Sequence, residues 1–217
     1  MRGKINRVYK LLATPYGIPK HKKHDPLETL ILTILSQNTS DTNRDRAYAR
    51  LKTAFPTWGS LLSARTQKIQ RAIRVGGLSK TKAQYIKSAL KKIKRDNKKF
   101  SIGFLKEMSL DDARNYLTSI TGVGPKTAAV VLCFSMNMAA FPVDTHIYRV
   151  SRRLGLIPKK TSREKAHILL EKATPTNIIY ALHLLLIKHG RNTCKAQRPR
   201  CQQCPLIELC PHKPKTN

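Results

Sequence analysis

The amino-acid sequence predicts an all-α protein. Apolar residues recur at helical spacing along nearly the whole chain, and nowhere do apolar and polar residues alternate long enough to make a strand. Ser, Thr and Asp stand ahead of several apolar runs, where they can cap a helix, and Gly closes others. The 217 residues leave room for one domain or two small ones at roughly 100 to 200 residues each, and 41% apolar residues suffice for a core.

The elements follow in order. After a basic N-terminal segment and a Pro- and Lys-rich stretch from Gly17 to Lys23, Asp25-Pro26-Leu27-Glu28 supplies an N-cap, a proline at the first helical position and a capping-box glutamate. Leu27, Leu30, Ile31, Ile34 and Leu35 then share one face. Ser40 or Asp41 caps a helix carrying Ala47, Tyr48, Leu51 and Ala54. Thr66 precedes another through Ile69 and Ile73, which stops at Gly76-Gly77. The segment Thr81 to Lys94 turns Ala83, Ile86, Ala89, Leu90 and Ile93 inward and is basic outside: Lys80 to Lys99 holds nine Lys or Arg against one Asp. Ser109 caps a short helix through Ala113, Tyr116 and Leu117. The turn Thr121-Gly122-Val123-Gly124-Pro125 joins it to a helix from Lys126 to about Met136. Beyond lie Thr145 to Leu154, capped by Asp144, then Ser162 to Glu171, then an apolar helix from Pro175 to His189 ended by Gly190.

Charge narrows the partners. With 42 Lys or Arg against 12 Asp or Glu, the net charge of +30 repels itself, and a polyanion that releases counterions offsets this. Charge alone fits a ribosomal or histone-like phosphate binder equally well. No apolar run approaches the roughly 18 residues of a membrane-spanning helix, so no membrane partner is expected. The start Met-Arg-Gly-Lys-Ile-Asn-Arg lacks the apolar core of a secretory signal, and a cytoplasmic protein is expected.

The cysteines are not scattered. Cys133 stands alone in an apolar helical stretch, while Cys194-x6-Cys201-x2-Cys204-x5-Cys210 crowds the C-terminal region. In a reducing compartment this points to metal rather than disulfides. Four thiolates are what a cubane cluster needs, whereas a zinc ribbon normally offers two Cys-x2-Cys knuckles and this chain has one.

Gly122 and Gly124 leave the hairpin backbone open to close approach, and the unsatisfied amides of the following helix suit a phosphate oxygen; a tight structural turn is the plainer alternative. In context the segment Leu117 to Leu132 resembles the helix-hairpin-helix of the endonuclease III family of DNA glycosylases. So does Val143-Asp144-Thr145-His146, 18 residues beyond the lysine of Gly122-Val123-Gly124-Pro125-Lys126, and so does the four-cysteine spacing. The resemblance covers about Leu27 to Cys210.

That resemblance implies a two-lobed helix-hairpin-helix DNA glycosylase fold. A six-helix domain spans 24–137, and a second helical domain, residues 1–23 with 138–217, carries a C-terminal 4Fe-4S cluster loop. The active site would lie between them. It implies base excision repair by a bifunctional DNA N-glycosylase with AP lyase activity on oxidised or damaged pyrimidines. Lys126 would be the amine nucleophile and Asp144 the carboxylate that stabilises the sugar or deprotonates the lysine. Asp144 is also a good N-cap, and His146 a packing residue. Cys194, Cys201, Cys204 and Cys210 would bind the cluster, stiffening a loop whose Lys195, Arg198 and Arg200 grip phosphates. The gap left by a flipped nucleotide would be filled by Asn38, or by Gln37 one residue earlier, with Leu78 as a second wedge. Lys82, Gly122, Gly124 and Thr127 complete the expected DNA contacts. The partner would be double-stranded DNA with a damaged base or abasic site, bound by a monomer at the nucleoid. The competing readings are a monofunctional uracil or thymine mismatch glycosylase and a non-catalytic DNA-binding module.

Overall fold

A computed structural model describes residues 1–212. Among these residues the regular structure is helical, α-helices and short 3-10 turns without a strand. The chain divides into two compact units, one running from Lys23 to Asn137, the other joining Met1–Lys22 to the chain from Met138 onward.

The Lys23–Asn137 unit has seven α-helices where six had been expected. They are α2 (Pro26–Leu35), α3 (Asp41–Ala54), α4 (Trp58–Ser63), α5 (Thr66–Ala72), α6 (Ser79–Asn97), α7 (Leu110–Thr118) and α8 (Pro125–Met136). The unforeseen one is α4, a six-residue helix held by a Thr57–Ser60 capping box. Asp25, Ser40 and Ser109 cap α2, α3 and α7 as their sequence positions predict. Helix α2 is mostly buried and packs against α8, and α6 lies against α5 and α2. The α6 helix is longer than its periodicity suggested. It begins directly after Leu78, which adopts a left-handed conformation at φ 48° in place of a capping side chain, and runs to Asn97.

The other unit opens with a helix not predicted from the sequence, α1 (Arg2–Tyr16). Ile5, Val8 and Leu12 form its buried stripe, and it packs on α11 (Ile179–Asn192). Between them come α9 (Thr145–Arg153), capped by Asp144, and α10 (Arg163–Ala173), capped by Ser162. Gly190 does not end α11 as expected. It lies within the helix at the crossing with α9, where a Cβ would stand 2.9 Å from the Cβ of His146; the glycine serves helix contact. The cysteine loop follows as irregular chain with two 3-10 turns, Cys201–Gln203 and Ile207–Leu209.

Candidate functional site

The first group of candidate residues lies in the Lys23–Asn137 unit. The Ile120–Gly124 turn is closed by the Val123 amide donating to the Ile120 carbonyl at 3.0 Å. Gly122 is at φ +85°, and an added Cβ would fall 2.2 Å from Cγ of Tyr85, so both its conformation and the ring above it require glycine. Gly124 precedes α8 with open space where its Cβ would be. No side chain caps α8, and Pro125 occupies its first position. The first-turn amides therefore face outward at the positive end of the helix dipole, beside the exposed Lys126. This is an anion-receptive surface.

Two loops accompany the hairpin. Gln37 donates its side-chain amide to the Gly122 carbonyl at 3.0 Å and is thereby committed to the protein. Asn38, next to it, is exposed at φ 50°. Of the two residues the sequence left open, Asn38 has the free side chain. Leu78 is 55% exposed in its own left-handed conformation, an apolar side chain held out to solvent at a local energetic cost. Two expected DNA contacts are corrected. Lys82 is 1% exposed, and its ammonium donates to the carbonyls of Leu35 and Gly76, at 2.7 Å each. Burial without an anionic partner pushes its pKa down. Thr127 is 5% exposed, on the inward side of α8. Neither side chain is available to a phosphate.

The second group lies in the other unit. Asp144 is half-buried, and its Oδ1 accepts from the Ile147 amide at 2.7 Å, so one carboxylate oxygen caps α9 and Oδ2 takes no part in the cap. One turn on, Arg149 donates to the carbonyls of Cys194 and Gly190. Arg153 donates to those of Lys195 and Ala196, and lies 3.4 Å from the Cys194 sulfur. These arginines, missed in the sequence, carry the cysteine loop on α9. Their i, i+4 spacing behind Asp144 was the available signal. Lys195, Arg198 and Arg200 are exposed along the loop.

Cys194, Cys201, Cys204 and Cys210 line one cavity, with Val150, His189 and Ile207 among its other walls. Burial pushes the Cys204 and Cys210 thiols up, and the neighbouring cysteines push the same way. Among the described residues no three His, Cys, Asp or Glu side chains converge closely enough to hold a single ion. Four thiols lining one cavity are the donor set that a group ligated by several thiolates needs. His189, 1% exposed, is held neutral by burial, its pKa lowered to about 4. Its ring lies 3.7 Å from the Cys204 sulfur and 3.3 Å from the Tyr16 hydroxyl, another link absent from the sequence reading.

Residues 31–176 match the model for the HhH-GPD superfamily of base excision DNA repair proteins, and residues 194–210 match that for the iron-sulfur binding domain of endonuclease III. The endonuclease III of Sulfolobus acidocaldarius is 32% identical over 94% of this chain and 94% of its own length. The chain belongs to the endonuclease III family. Another similar protein, a putative DNA glycosylase of Arabidopsis thaliana, is 35% identical, and the chain spans 65% of that protein's length. A trapped covalent intermediate of an endonuclease III with DNA matches at a TM-score of 0.80 and 28% identity, covering 98% of this chain and 96% of that one. The fold is thus the all-α endonuclease III fold, and the protein is a DNA glycosylase/lyase of base excision repair that binds DNA. As an endonuclease III family member it carries a 4Fe-4S cluster, a group whose iron is held by cysteine thiolates. The four thiols present fit it, and the arginines of α9 shape the loop that would hold it. No described helix is long and apolar enough to cross a membrane.

Proposed function

We propose that this protein excises oxidised or otherwise damaged pyrimidines from double-stranded DNA as a monomer and then nicks the abasic strand, in whichever compartment holds the DNA. The observation that carries the reading is Lys126. It is an exposed primary amine in the first turn of a helix with no capping side chain, two residues behind an open glycine, and thus borders a surface suited to a phosphodiester.

Lys126 acts as the nucleophile. Its Nζ lone pair forms a bond to C1′ as the N-glycosidic bond breaks, and the electron pair leaves with the base, which takes up a proton. The resulting amine opens the sugar to a Schiff base. Loss of a C2′ proton then expels the 3′ phosphate by β-elimination, and hydrolysis frees the lysine. Asp144 stabilises the cationic sugar and accepts the ammonium proton through the oxygen its cap leaves unused. The exposed Gly124 edge of the hairpin and the loop residues Lys195, Arg198 and Arg200 hold the backbone. Asn38 and Leu78 occupy the gap the flipped nucleotide leaves. The thiolates of Cys194, Cys201, Cys204 and Cys210 would hold the cluster, which when bound fixes the loop presenting those basic side chains.

Borohydride trapping on abasic duplex DNA tests this reading. The wild type forms a covalent adduct and Lys126→Ala does not. Base release by wild type without any adduct would instead identify a monofunctional glycosylase, and neither product a DNA-binding module. Turnover on duplexes carrying thymine glycol, dihydrouracil or uracil then ranks the bases.

A further inference from the structure

The buried ammonium of Lys82 is not explained by the chemistry above. It is 1% exposed, and no carboxylate accepts from it. Taking a charge out of water without an anion is costly, and an apolar side chain of similar volume would fill the space more cheaply. What the ammonium does instead is join two chain segments distant in sequence. The Leu35 carbonyl is the last of α2, and the Gly76 carbonyl ends the 3-10 turn Arg74–Gly76; each lies 2.7 Å from Nζ. Both are carbonyls a helix end leaves unsatisfied, and that of α2 carries the negative end of a dipole, which offsets part of the buried charge. A compact cation with three donors can reach two such carbonyls at once.

The position of these carbonyls gives the bond its meaning. Asn38 follows Leu35 by three residues, and Leu78 follows Gly76 by two. Both are exposed and left-handed, at φ 50° and 48°. One turn along α6 from Lys82, Tyr85 packs over Gly122, whose carbonyl takes the Gln37 amide. One helix thus holds the bases of three loops.

We propose that Lys82 is a positioning residue for base extrusion, its ammonium fixing the separation of the Asn38 and Leu78 tips by holding the carbonyls at the roots of both loops. This rests on the insertion roles assigned to those tips above. A rigid pair of wedges enters the stack already spaced, so the binding step does not have to order them.

The test is Lys82→Met, a neutral side chain of similar length, with Lys82→Gln beside it to keep a donor for one carbonyl. Extrusion is read without chemistry, by the fluorescence rise of 2-aminopurine placed opposite the lesion, and with chemistry, by single-turnover rates. Two substrates are compared: a fully paired damaged base, and an abasic site in an unpaired bubble that needs no extrusion. The expected result is a loss of about 10-fold or more on the paired lesion, less than about 2-fold on the bubble, and a smaller fluorescence rise, with Gln intermediate. Leu78→Ala then costs little more in the Met background, because the two act through one step. Equal losses on both substrates, an unchanged fluorescence rise, additive effects with Leu78→Ala, or misfolding of both variants would overturn the proposal and leave Lys82 a scaffold residue. Failure of the Lys126 reading shows up separately, as a wild type that extrudes the base but forms no adduct.

Discussion

Asp144 shows how one residue can do two jobs that a substitution separates. Asn caps a helix as well as Asp, so Asp144→Asn keeps the bond to the Ile147 amide and should change stability by less than about 0.5 kcal/mol. Removing the negative charge should nonetheless slow base release by roughly 10²- to 10⁴-fold, measured in single turnover. A variant that keeps its rate would mean the carboxylate is only a cap. Gly122 is the opposite case, with geometry alone deciding. In Gly122→Ala the new methyl would meet the Tyr85 ring 2.2 to 2.6 Å away in a conformation L-residues avoid, and overpacking of this kind costs about 1–3 kcal/mol. Urea unfolding should show this loss, partly relieved in the double variant with Tyr85→Ala. The two corrected residues were legible in principle. Lys82 sits four residues before Ile86, seven before Ala89 and eleven before Ile93, so it belongs to the inward stripe of α6. Thr127, beside Ala128 and four residues before Val131, lies on the inward side of α8. The eight other basic residues between Lys80 and Lys99 concealed the first, and a motif that stresses the hairpin concealed the second.

At the scale of elements, the helices announced by a cap and a long apolar stripe were readable, because both signals are local. Those of α2, α3, α7, α9 and α10 all rest on a side chain that accepts from the first turn. Helix α1 was missed because Arg2, Lys4, Arg7 and Lys10 mask a three-residue apolar stripe, and Met1 offers no cap. The fate of Gly190 was also hidden, since its meaning depends on α9, some forty residues earlier. Gly190→Ala should force α9 and α11 apart, costing about 1–3 kcal/mol. Because Arg149 and Arg153 hold the cysteine loop from α9, the purified variant should also contain less iron per chain. Full iron content alongside a lowered melting temperature would separate the helix crossing from the cluster.

Across the whole molecule, two features were plain from composition and spacing: a phosphate-bearing partner and a four-thiol cofactor. The resemblance, and not composition, put Lys126 and Asp144 in different lobes; Lys126 belongs to one compact unit and Asp144 to the other. The +30 charge predicts steep salt dependence: if 6 to 10 phosphates are contacted, affinity should drop about 10³- to 10⁵-fold between 50 and 200 mM salt. The ion pairs of Arg44 with Asp41 and Asp45, of Lys92 and Arg95 with Asp96, and of Arg114 with Asp111 each join residues at most four apart, so they brace single helices and not the tertiary structure. Added electrolyte has much mutual repulsion to quiet. Thermal melts of the free protein in rising potassium chloride should shift upward over the range in which filter binding shows DNA being released. The enzyme would thus be at its sturdiest where its grip is poorest, and would depend on its polyanionic substrate for the shielding that dilute buffer withholds.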